Sequence, residues 1–274
     1  MIRDITIGQY YPASSPIHRM DARIKIIITF LYIISLFIVD NVIGYAIVTA
    51  LLGIVIRLSK VPPKFMLRGL KSIMFIILFT AVINLFLTQG ENILWQWKFL
   101  KITTEGIYMA VRMCIRLVLL IVGSSLLTLT TTPIQLTDGI EYLLRPLKKI
   151  GVPAHEIAMM MTIALRFIPT LLDETDKIMK AQQARGADFD TGNLMQRAKS
   201  LIPILVPLFI SAFRRAEELA MAMEARCYHG DENRTRMNVM KMQSGDYKAV
   251  VLTALYLCLT IGLRFVGNTA PFWL

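Results

Sequence analysis

The chain has 274 residues, of which 55% are hydrophobic and only 18% are charged, a balance outside that of soluble globular domains. Lysine and arginine number 30 against 19 acidic residues, giving a formal net charge of +11. Because long apolar runs are also present, this excess indicates the positive-inside bias of a membrane protein rather than nucleic-acid binding. The cysteines, Cys114, Cys227 and Cys258, have no paired spacing, so the sequence suggests neither a disulfide framework nor a cysteine-based metal site.

Five apolar runs are long enough to cross a bilayer if each helix also includes flanking residues, since a spanning helix needs about 20 residues. The predicted spans are 24–39, 42–58, 73–87, 107–129 and 249–265. Arg112 and Arg116, one turn apart near the start of the fourth span, are interpreted as side chains that reach out to the membrane interface. We therefore predict an all-α integral membrane protein with about five transmembrane helices.

The distribution of basic residues predicts the orientation of these spans. Basic residues precede the first span and crowd the connection between the second and third, so the N-terminus and this connection are expected in the cytoplasm. The next connection, with Trp95 and Trp97, is then expected outside, at headgroup level. The fourth span returns the chain to the cytoplasm for about 120 residues, and the last span carries the C-terminus outside.

The long cytoplasmic section is predicted to contain amphipathic helices. The first begins at Pro133, with Thr132 as its cap, and stops at Gly151. The second and third cover 154–185 and 194–226, and each changes from apolar at its start to charged at its end. The predicted organisation is 1–131 for four transmembrane helices, 132–230 for cytoplasmic coupling helices, 231–248 for a connector and 249–274 for the last transmembrane helix.

Three prolines lie inside these helical patterns, namely Pro169, Pro203 and Pro207. Each removes a backbone hydrogen bond and crowds the preceding turn, so kinks are expected and the three are candidate hinges. Plain tolerance of proline in membrane helices is an equally good interpretation.

The sequence lacks the common catalytic motifs. No Gly-x-x-x-x-Gly-Lys-Ser/Thr phosphate loop is present, so the chain is not expected to hydrolyse ATP by itself. The pair His155-Glu156 begins like a zinc-protease helix, but Met159 stands where the second histidine is needed. We therefore predict a protein that is not an enzyme and has no cofactor and no metal site.

Two helices are predicted to end on an alanine–arginine pair. These tips are Ala184-Arg185-Gly186 and Ala225-Arg226-Cys227. A glycine stop and the helix dipole suffice to explain the first tip, but the second lacks the glycine, so termination alone does not explain Arg226. A small neighbour leaves each guanidinium unshielded and able to bind a carboxylate through two hydrogen bonds. The tips are expected on the order of 50 Å apart, one helix length, which favours two receiving domains side by side.

Five stretches of the chain are distinctive: IHRMDARIKI, TPIQLTDGIEYLLRPLKKIGVP, ALRFIPTLLDETDKIMKAQQARGADF, AKSLIPILVPLF and AMEARCY. Together they resemble the transmembrane T component of energy-coupling factor transporters, the vitamin and metal importers of prokaryotes. The resemblance covers nearly the whole chain, and the two alanine–arginine tips are its most specific mark.

This resemblance implies the partners and the location of the protein. It implies a complex with two ABC-type ATPases and with a membrane-embedded substrate-binding S subunit, dedicated or exchangeable, in the prokaryotic cell membrane. It assigns contact with the ATPases to Arg185 and Arg226, with Ala184, Gly186 and Ala225 as motif neighbours. Cys227 departs from the small glycine or serine common at its place, which bears on how closely the second tip packs.

Two other functions compete with this interpretation. A self-sufficient secondary transporter or channel would need ionisable residues or broken helices near the bilayer centre, and the spans offer only Asn84 as a mid-span polar candidate. An intramembrane enzyme would need the nucleophile or metal patterns that the sequence lacks.

Overall fold

The computed structural model of the chain describes residues 10–88, 93–97, 100–187, 189, 193–230, 240 and 242–267. Its helices are α1 (Pro16–Arg19), α2 (Ala22–Ile38), α3 (Val42–Ser59), α4 (Pro63–Leu87), α5 (Thr104–Thr130), α6 (Pro133–Leu144), α7 (Ala154–Ala184), α8 (Leu194–Ser200), α9 (Ile202–Ala225) and α10 (Ser244–Gly267). A 3-10 helix covers Arg145–Ile150. The predicted all-α integral membrane fold is confirmed.

A short antiparallel ribbon joins α4 to α5. Its strands are β1 (Ile93–Trp97) and β2 (Leu100–Thr103), with Trp97 paired to Leu100 and a register irregularity between Ile93 and Trp95. No strand was predicted here from the sequence. The apolar alternation of the run ILWQW is typical of a strand, but tryptophans at a membrane interface explain the same residues.

The number of helices suited to crossing a membrane agrees with the prediction, but their identity differs in one place. By length and composition, four helices in the described residues qualify, α3, α5, α7 and α10, and α4 makes a fifth although it bends by 60° between Lys71 and Ile73. Helix α2, the first predicted span, has only 17 residues, fewer than the roughly 20 that cross the hydrocarbon. Helix α7 qualifies because its first half is apolar, while its second half carries the charges that favour water.

Large apolar side chains cover the outside of these helices, as lipid contact requires. On α2, the side chains of Phe30 and Phe37 are about 60% exposed, and on α4 that of Phe75 is 78% exposed. Exposing these side chains to water would be unfavourable, whereas exposing them to hydrocarbon carries no free-energy penalty. The exposed phenylalanines therefore support a membrane location for α2 despite its length.

The chain divides into two compact units, Ile140–Val239 and the pair of segments Gly8–Gly139 and Met240–Leu274. The four-part organisation proposed from the sequence stays a prediction, and most of its connector lies outside the described residues. In the second unit the core packs α2, α3, α5 and α10 around Leu36 and Val48, both fully buried.

Polar groups within this core are satisfied by one another, as a low-dielectric surrounding demands. The hydroxyl of Tyr32 donates to the carbonyl of Leu119 at 3.0 Å. The hydroxyls of Ser35 and Tyr256 lie 2.6 Å apart. These bonds fix the rotation of α2 relative to α5 and α10.

Arg116 reaches the short connection between α2 and α3 and is bonded there within the protein, and its predicted place at the membrane interface stays a prediction. Its guanidinium donates to the hydroxyl of Tyr45 at 3.0 Å and to the carbonyl of Val39 at 3.3 Å, and it lies 3.6 Å from the carboxylate of Asp40. Arg112 lies 3.7 Å from the same carboxylate. The two arginines tie α5 to the short connection between α2 and α3.

The last carbonyl groups of α5 are held by the N-terminal part of the chain. The amide of Tyr11 donates to the carbonyl of Leu129 at 2.9 Å, and the ammonium of Lys25 donates to the carbonyl of Thr130 at 2.9 Å. Only Thr131 and Thr132 separate this helix end from α6. Lys25 is 4% exposed, so its bond to Thr130 is shielded from water.

Helix α6 begins as predicted but is shorter than predicted. The side chain of Thr132 accepts a hydrogen bond from the amide of Gln135, which makes it the cap. The helix changes to 3-10 geometry at Arg145, because Pro146 has no N–H to continue the α-helical bonding. The turn ends at Gly151, whose φ of 88° is the predicted left-handed stop.

Gly123 permits a close contact between α5 and the ring of Tyr32 on α2, and its substitution tests this packing. A Cβ atom at Gly123 would overlap the ring of Tyr32. We expect Gly123→Ala to lower the stability of the detergent-solubilised protein by about 1–3 kcal/mol through overpacking, measured as a lower thermal unfolding midpoint.

Gly53, in α3, is the matched control because a Cβ there meets no atom within 4 Å. Gly53→Ala should leave the unfolding midpoint unchanged or raise it slightly, since alanine favours helix. Equal effects of the two substitutions would contradict the proposed contact.

Candidate functional site

The first alanine–arginine tip ends α7 in a Schellman motif. Arg185 is the C-cap, with φ −88° and ψ 6°. The amide of Gly186 donates to the carbonyl of Gln183 at 2.9 Å, and the amide of Ala187 donates to the carbonyl of Gln182 at 3.0 Å. These two bonds require a left-handed residue directly after Arg185, and Gly186 supplies it with φ 86°.

The second tip ends α9 with the same bonds. Arg226 is the C-cap, with φ −95° and ψ 13°. The amide of Cys227 donates to the carbonyl of Glu224 at 2.8 Å, and the amide of Tyr228 donates to the carbonyl of Met223 at 3.1 Å. The two arginines therefore leave their helices at equivalent positions.

This equivalence corrects one inference from the sequence. Because no glycine follows Arg226, helix termination alone was not expected to explain this arginine, yet Cys227 adopts the left-handed conformation with φ 54°. A side chain there costs roughly 1–2 kcal/mol relative to glycine. Cys227 thus keeps the geometry of the tip at the expense of local strain.

Both guanidinium groups are available for contact. Arg185 and Arg226 are exposed, as are Ala184 and Ala225 before them. Within the described part of the chain, neither arginine side chain makes a hydrogen bond or an ion pair. The terminal carbonyl groups already have backbone partners, so the guanidinium donors remain free to bind an external acceptor.

Antiparallel packing of α7 and α9 separates the two tips. The side chain of Gln182 lies 3.4 Å from the carbonyl of Pro203, and Arg215 pairs with Glu174 at 2.7 Å. Residues earlier in α7 therefore lie beside residues later in α9, so the two helices run antiparallel. Arg185 thus lies at the start of α9 and Arg226 at its end, roughly 35–40 Å away at 1.5 Å per residue.

The predicted third coupling helix is broken, which shortens the expected separation of about 50 Å. It consists of α8 and α9, with the break at Leu201. The capping box in which Asn193 and Gln196 bond reciprocally starts α8, and α9 starts anew after Leu201 with Pro203 in its first turn. Sequence periodicity did not reveal this break, because apolar residues continue through it.

The three candidate hinge prolines occupy different positions. Pro169 is inside α7 and Pro207 is inside α9, as predicted. Pro203 is not inside a helix as predicted: it lies in the first turn of α9, directly after the break at Leu201, where its missing N–H removes no helical bond, and its role as a hinge stays a prediction. Only Pro169 and Pro207 therefore interrupt helical hydrogen bonding.

The pair formed by Glu174 and Arg215 joins α7 to α9 in their charged halves. The hydrogen bond from Arg215 holds the pKa of the Glu174 carboxyl below its usual value, against the opposing effect of burial. Both side chains are about one-third exposed, so the pair orients the helices more than it stabilises them.

An exposed apolar face runs along the first half of α9. Its members are Ile202, Leu205, Val206, Phe209, Ile210 and Phe213, each more than half exposed. Their spacing of three and four residues places them on one side of the helix. A continuous apolar stripe of this kind is suited to lipid or to a membrane-embedded partner.

No group of three or more histidine, cysteine, aspartate or glutamate side chains within the described ranges is arranged to hold a metal ion. His155 lies 3.1 Å from Glu141, an arrangement that joins the start of α7 to the end of α6. The site therefore consists of cationic helix ends and an apolar helix face.

Comparison with known proteins agrees with this architecture. Residues 13–237 match the family of cobalt transport proteins named CbiQ. The chain is 59% identical to a Clostridium kluyveri protein over 95% of this chain and 97% of that one, and 46% identical to a Bacillus subtilis protein over 96% and 100%. A relative from Ruminiclostridium cellulolyticum is 58% identical over 97% and 99%. All three relatives carry the name energy-coupling factor transporter transmembrane protein EcfT.

These matches, with several helices able to cross a membrane, define a multi-pass membrane component of a transporter. The chain belongs to the family of energy-coupling factor transporter transmembrane proteins. The resemblance noted from the five distinctive stretches is thereby confirmed.

The left-handed residues of the two tips give opposite predictions. Cys227→Gly should remove strain and increase hydrogen-exchange protection of the Tyr228 amide, whereas Gly186→Ala should introduce strain and decrease protection of the Ala187 amide. We expect each change to correspond to about 1 kcal/mol.

Cys227→Val provides the check, because a β-branched residue tolerates φ above zero poorly. Protection at Tyr228 should then fall below that of the wild type. The same protection in the glycine, cysteine and valine variants would contradict the assigned geometry.

The Glu174–Arg215 pair predicts a pH dependence. Because the pKa of Glu174 is lowered, its stabilising contribution is present above the ordinary glutamate value of 4.5 and is lost as the pH falls through the lowered pKa. Glu174→Gln should therefore reduce stability above that value, by under about 1 kcal/mol, and have little effect at lower pH. Glu218, exposed on α9, supplies the control, and Glu218→Gln should show no such pH-dependent difference in unfolding midpoint.

Proposed function

We propose that this protein transmits ATP-driven motion of two cytoplasmic ATPases to a membrane-embedded substrate-binding S subunit, for uptake of vitamins or other micronutrients. The observation that carries the proposal is the pair of equivalent, exposed arginine C-caps at opposite ends of the α7–α9 hairpin. In this arrangement the protein itself performs no catalysis, and its partners hydrolyse the ATP.

The distance between the arginines favours two receiving domains. A separation of roughly 35–40 Å exceeds what one groove in a small domain would span. Each guanidinium presents a planar fork that suits bidentate binding of a carboxylate. Two ATPases side by side, each offering an acidic groove, would satisfy both ends at once.

The apolar face of α9 supplies the second surface that coupling requires. Its exposed side chains, such as Phe209 and Phe213, fit an S subunit whose own surface is lipid-like. In the first half of α7, Met160 and Met161 are also exposed, and flexible thioethers suit contact with more than one S subunit. We thus propose that the charged ends engage the motors and the apolar halves engage the membrane partner.

Motion is proposed to pass between these surfaces through the hairpin. Pro169 and Pro207 each interrupt the bonding of one helix, so bending at these points requires breaking fewer bonds than elsewhere. A change in the angle between α7 and α9 would tilt the S subunit and expose its bound substrate to the cytoplasm. The orientation proposed with this mechanism places the N-terminus and the coupling helices in the cytoplasm and the C-terminus outside.

Charge reversal at both tips tests the function. Arg185→Glu combined with Arg226→Glu should remove the ATPases from the purified complex and abolish uptake, because two carboxylates would face acidic grooves. Either Arg→Ala change alone should give partial loss, since truncating one partner of a desolvated charge pair costs roughly 2–5 kcal/mol. Co-purification and vesicle uptake assays measure the two effects.

Lys180→Glu combined with Arg214→Glu is the matched control, because it makes the same change in net charge on α7 and α9 away from the tips. Both residues are exposed and make no hydrogen bond or ion pair in the described ranges. The control should retain ATPases and uptake. Retention of both by the double tip reversal would overturn the coupling assignment, and uptake without ATPases would favour a self-sufficient transporter.

A further inference from the structure

A groove of about 300 Å³ opens on the side of the membrane unit, between α2, α3, α5 and α10. Its walls are almost entirely apolar, with Ile28, Leu52, Leu126 and Leu252 each contributed by a different helix. The proposed ATPase and S-subunit contacts use none of these residues. The coupling function proposed above therefore assigns no role to the groove.

The groove has one cationic end and one uncharged end. Lys25 and Lys248 line it at the starts of α2 and α10, while Tyr32 and Tyr256 line it further along the same helices. Seven or eight residues separate the lysine from the tyrosine on each helix, which corresponds to about 10–12 Å along the membrane normal. Tyr32 and Tyr256 are buried and bonded to Leu119 and Ser35, so the uncharged end is closed.

The positive charge at the open end is only partly neutralised. Asp21 forms an ion pair with Arg23 at 2.6 Å. The carboxylate of Asp246 accepts hydrogen bonds from the amides of Asp21 and Gln243 at 3.0 and 2.7 Å. Lys248 is exposed and has no hydrogen bond or ion pair with any other described residue.

The dimensions of the groove decide between its candidate occupants. An α-helix is 10–12 Å across, so a partner helix would lie against the mouth of the groove and leave the space between the four helices unfilled. Ordered water needs two to four polar partners, which the apolar walls do not offer. A single hydrocarbon chain is narrow and apolar, and it satisfies both limits.

We propose that the groove binds one anionic phospholipid, with an acyl chain between α2, α3, α5 and α10 and the phosphate group at Lys248. The apolar walls account for the chain, and the unpaired ammonium at the open end accounts for a negative headgroup. The bound lipid would fill space that the helices leave between them and would neutralise Lys248.

Native mass spectrometry of the full chain in detergent tests this site. The protein is titrated with phosphatidylglycerol and with phosphatidylcholine of identical acyl chains. We expect one tightly retained phosphatidylglycerol per chain. Ala249→Phe, which places a ring in the groove, should abolish tight retention of either lipid.

Ala254→Phe is the matched control, because Ala254 is exposed on α10 and does not line the groove. It should retain the lipid as the wild type does. If Ala249→Phe and Ala254→Phe retain phosphatidylglycerol equally, the site is not in this groove and the proposal fails.

The headgroup assignment is tested separately. Lys248→Gln should reduce the preference for phosphatidylglycerol about fivefold while leaving phosphatidylcholine binding unchanged. Lys64→Gln, at an exposed cation on α4, should leave the preference intact. Equal preference in the wild type and in Lys248→Gln would overturn the assignment.

A partner helix in the groove would give a different result. Ala249→Phe would then release a co-purifying membrane subunit from the assembled complex while the count of bound lipid stayed the same. That outcome also contradicts the proposal. Because these measurements do not involve the ATPases, their failure is distinguishable from failure of the proposed coupling function.

Discussion

The position of both arginines depends on the antiparallel packing of α7 against α9. Two contacts define this packing, one between Gln182 and Pro203 and the other between Glu174 and Arg215. Because the helices run in opposite directions, their C-terminal ends lie at opposite ends of the hairpin. Parallel packing of the same helices would bring the two guanidinium groups close together, where like charges repel. The helix directions therefore place the two guanidinium groups far apart.

The helix ends show how different residues can produce one geometry. A Schellman motif supplies partners for carbonyl groups that would otherwise be left without them, and it demands a left-handed residue after the C-cap. Gly186 meets this demand without strain, and Cys227 meets it with strain. Backbone bonding of the terminal carbonyls leaves both arginine side chains free, so the same local structure that stops each helix also presents its charge.

Much of the fold follows from the sequence because long apolar periodic segments leave few alternatives. The starts of α6 and α7, the stop at Gly151 and the ends at Arg185 and Arg226 were all predictable from caps and periodicity. The break at Leu201 and the 3-10 segment after Arg145 were not. Both lie within segments whose apolar pattern continues, and local hydrogen bonding rather than hydrophobicity decides their geometry.

The candidate site was predictable in its residues but not in its geometry. The arginine tips are recognisable as repeated letters, whereas the left-handed conformation of Cys227 and the internal bonding of Arg116 depend on contacts with residues distant in the chain or on backbone strain. Glycine is a strong sequence signal for positive φ, and cysteine is not. Position 227 could have been identified only by aligning the two tips residue by residue and assuming equal geometry.

The bonds at the end of α5 have a mechanical consequence. The carbonyl groups of Leu129 and Thr130 are held by Tyr11 and Lys25, so this end of the membrane helix resists unwinding. The same lysine also lies 3.4 Å from the hydroxyl of Thr131, one residue further along the chain. The start of α6, two residues beyond α5, is therefore attached to a helix end that is anchored within its own unit.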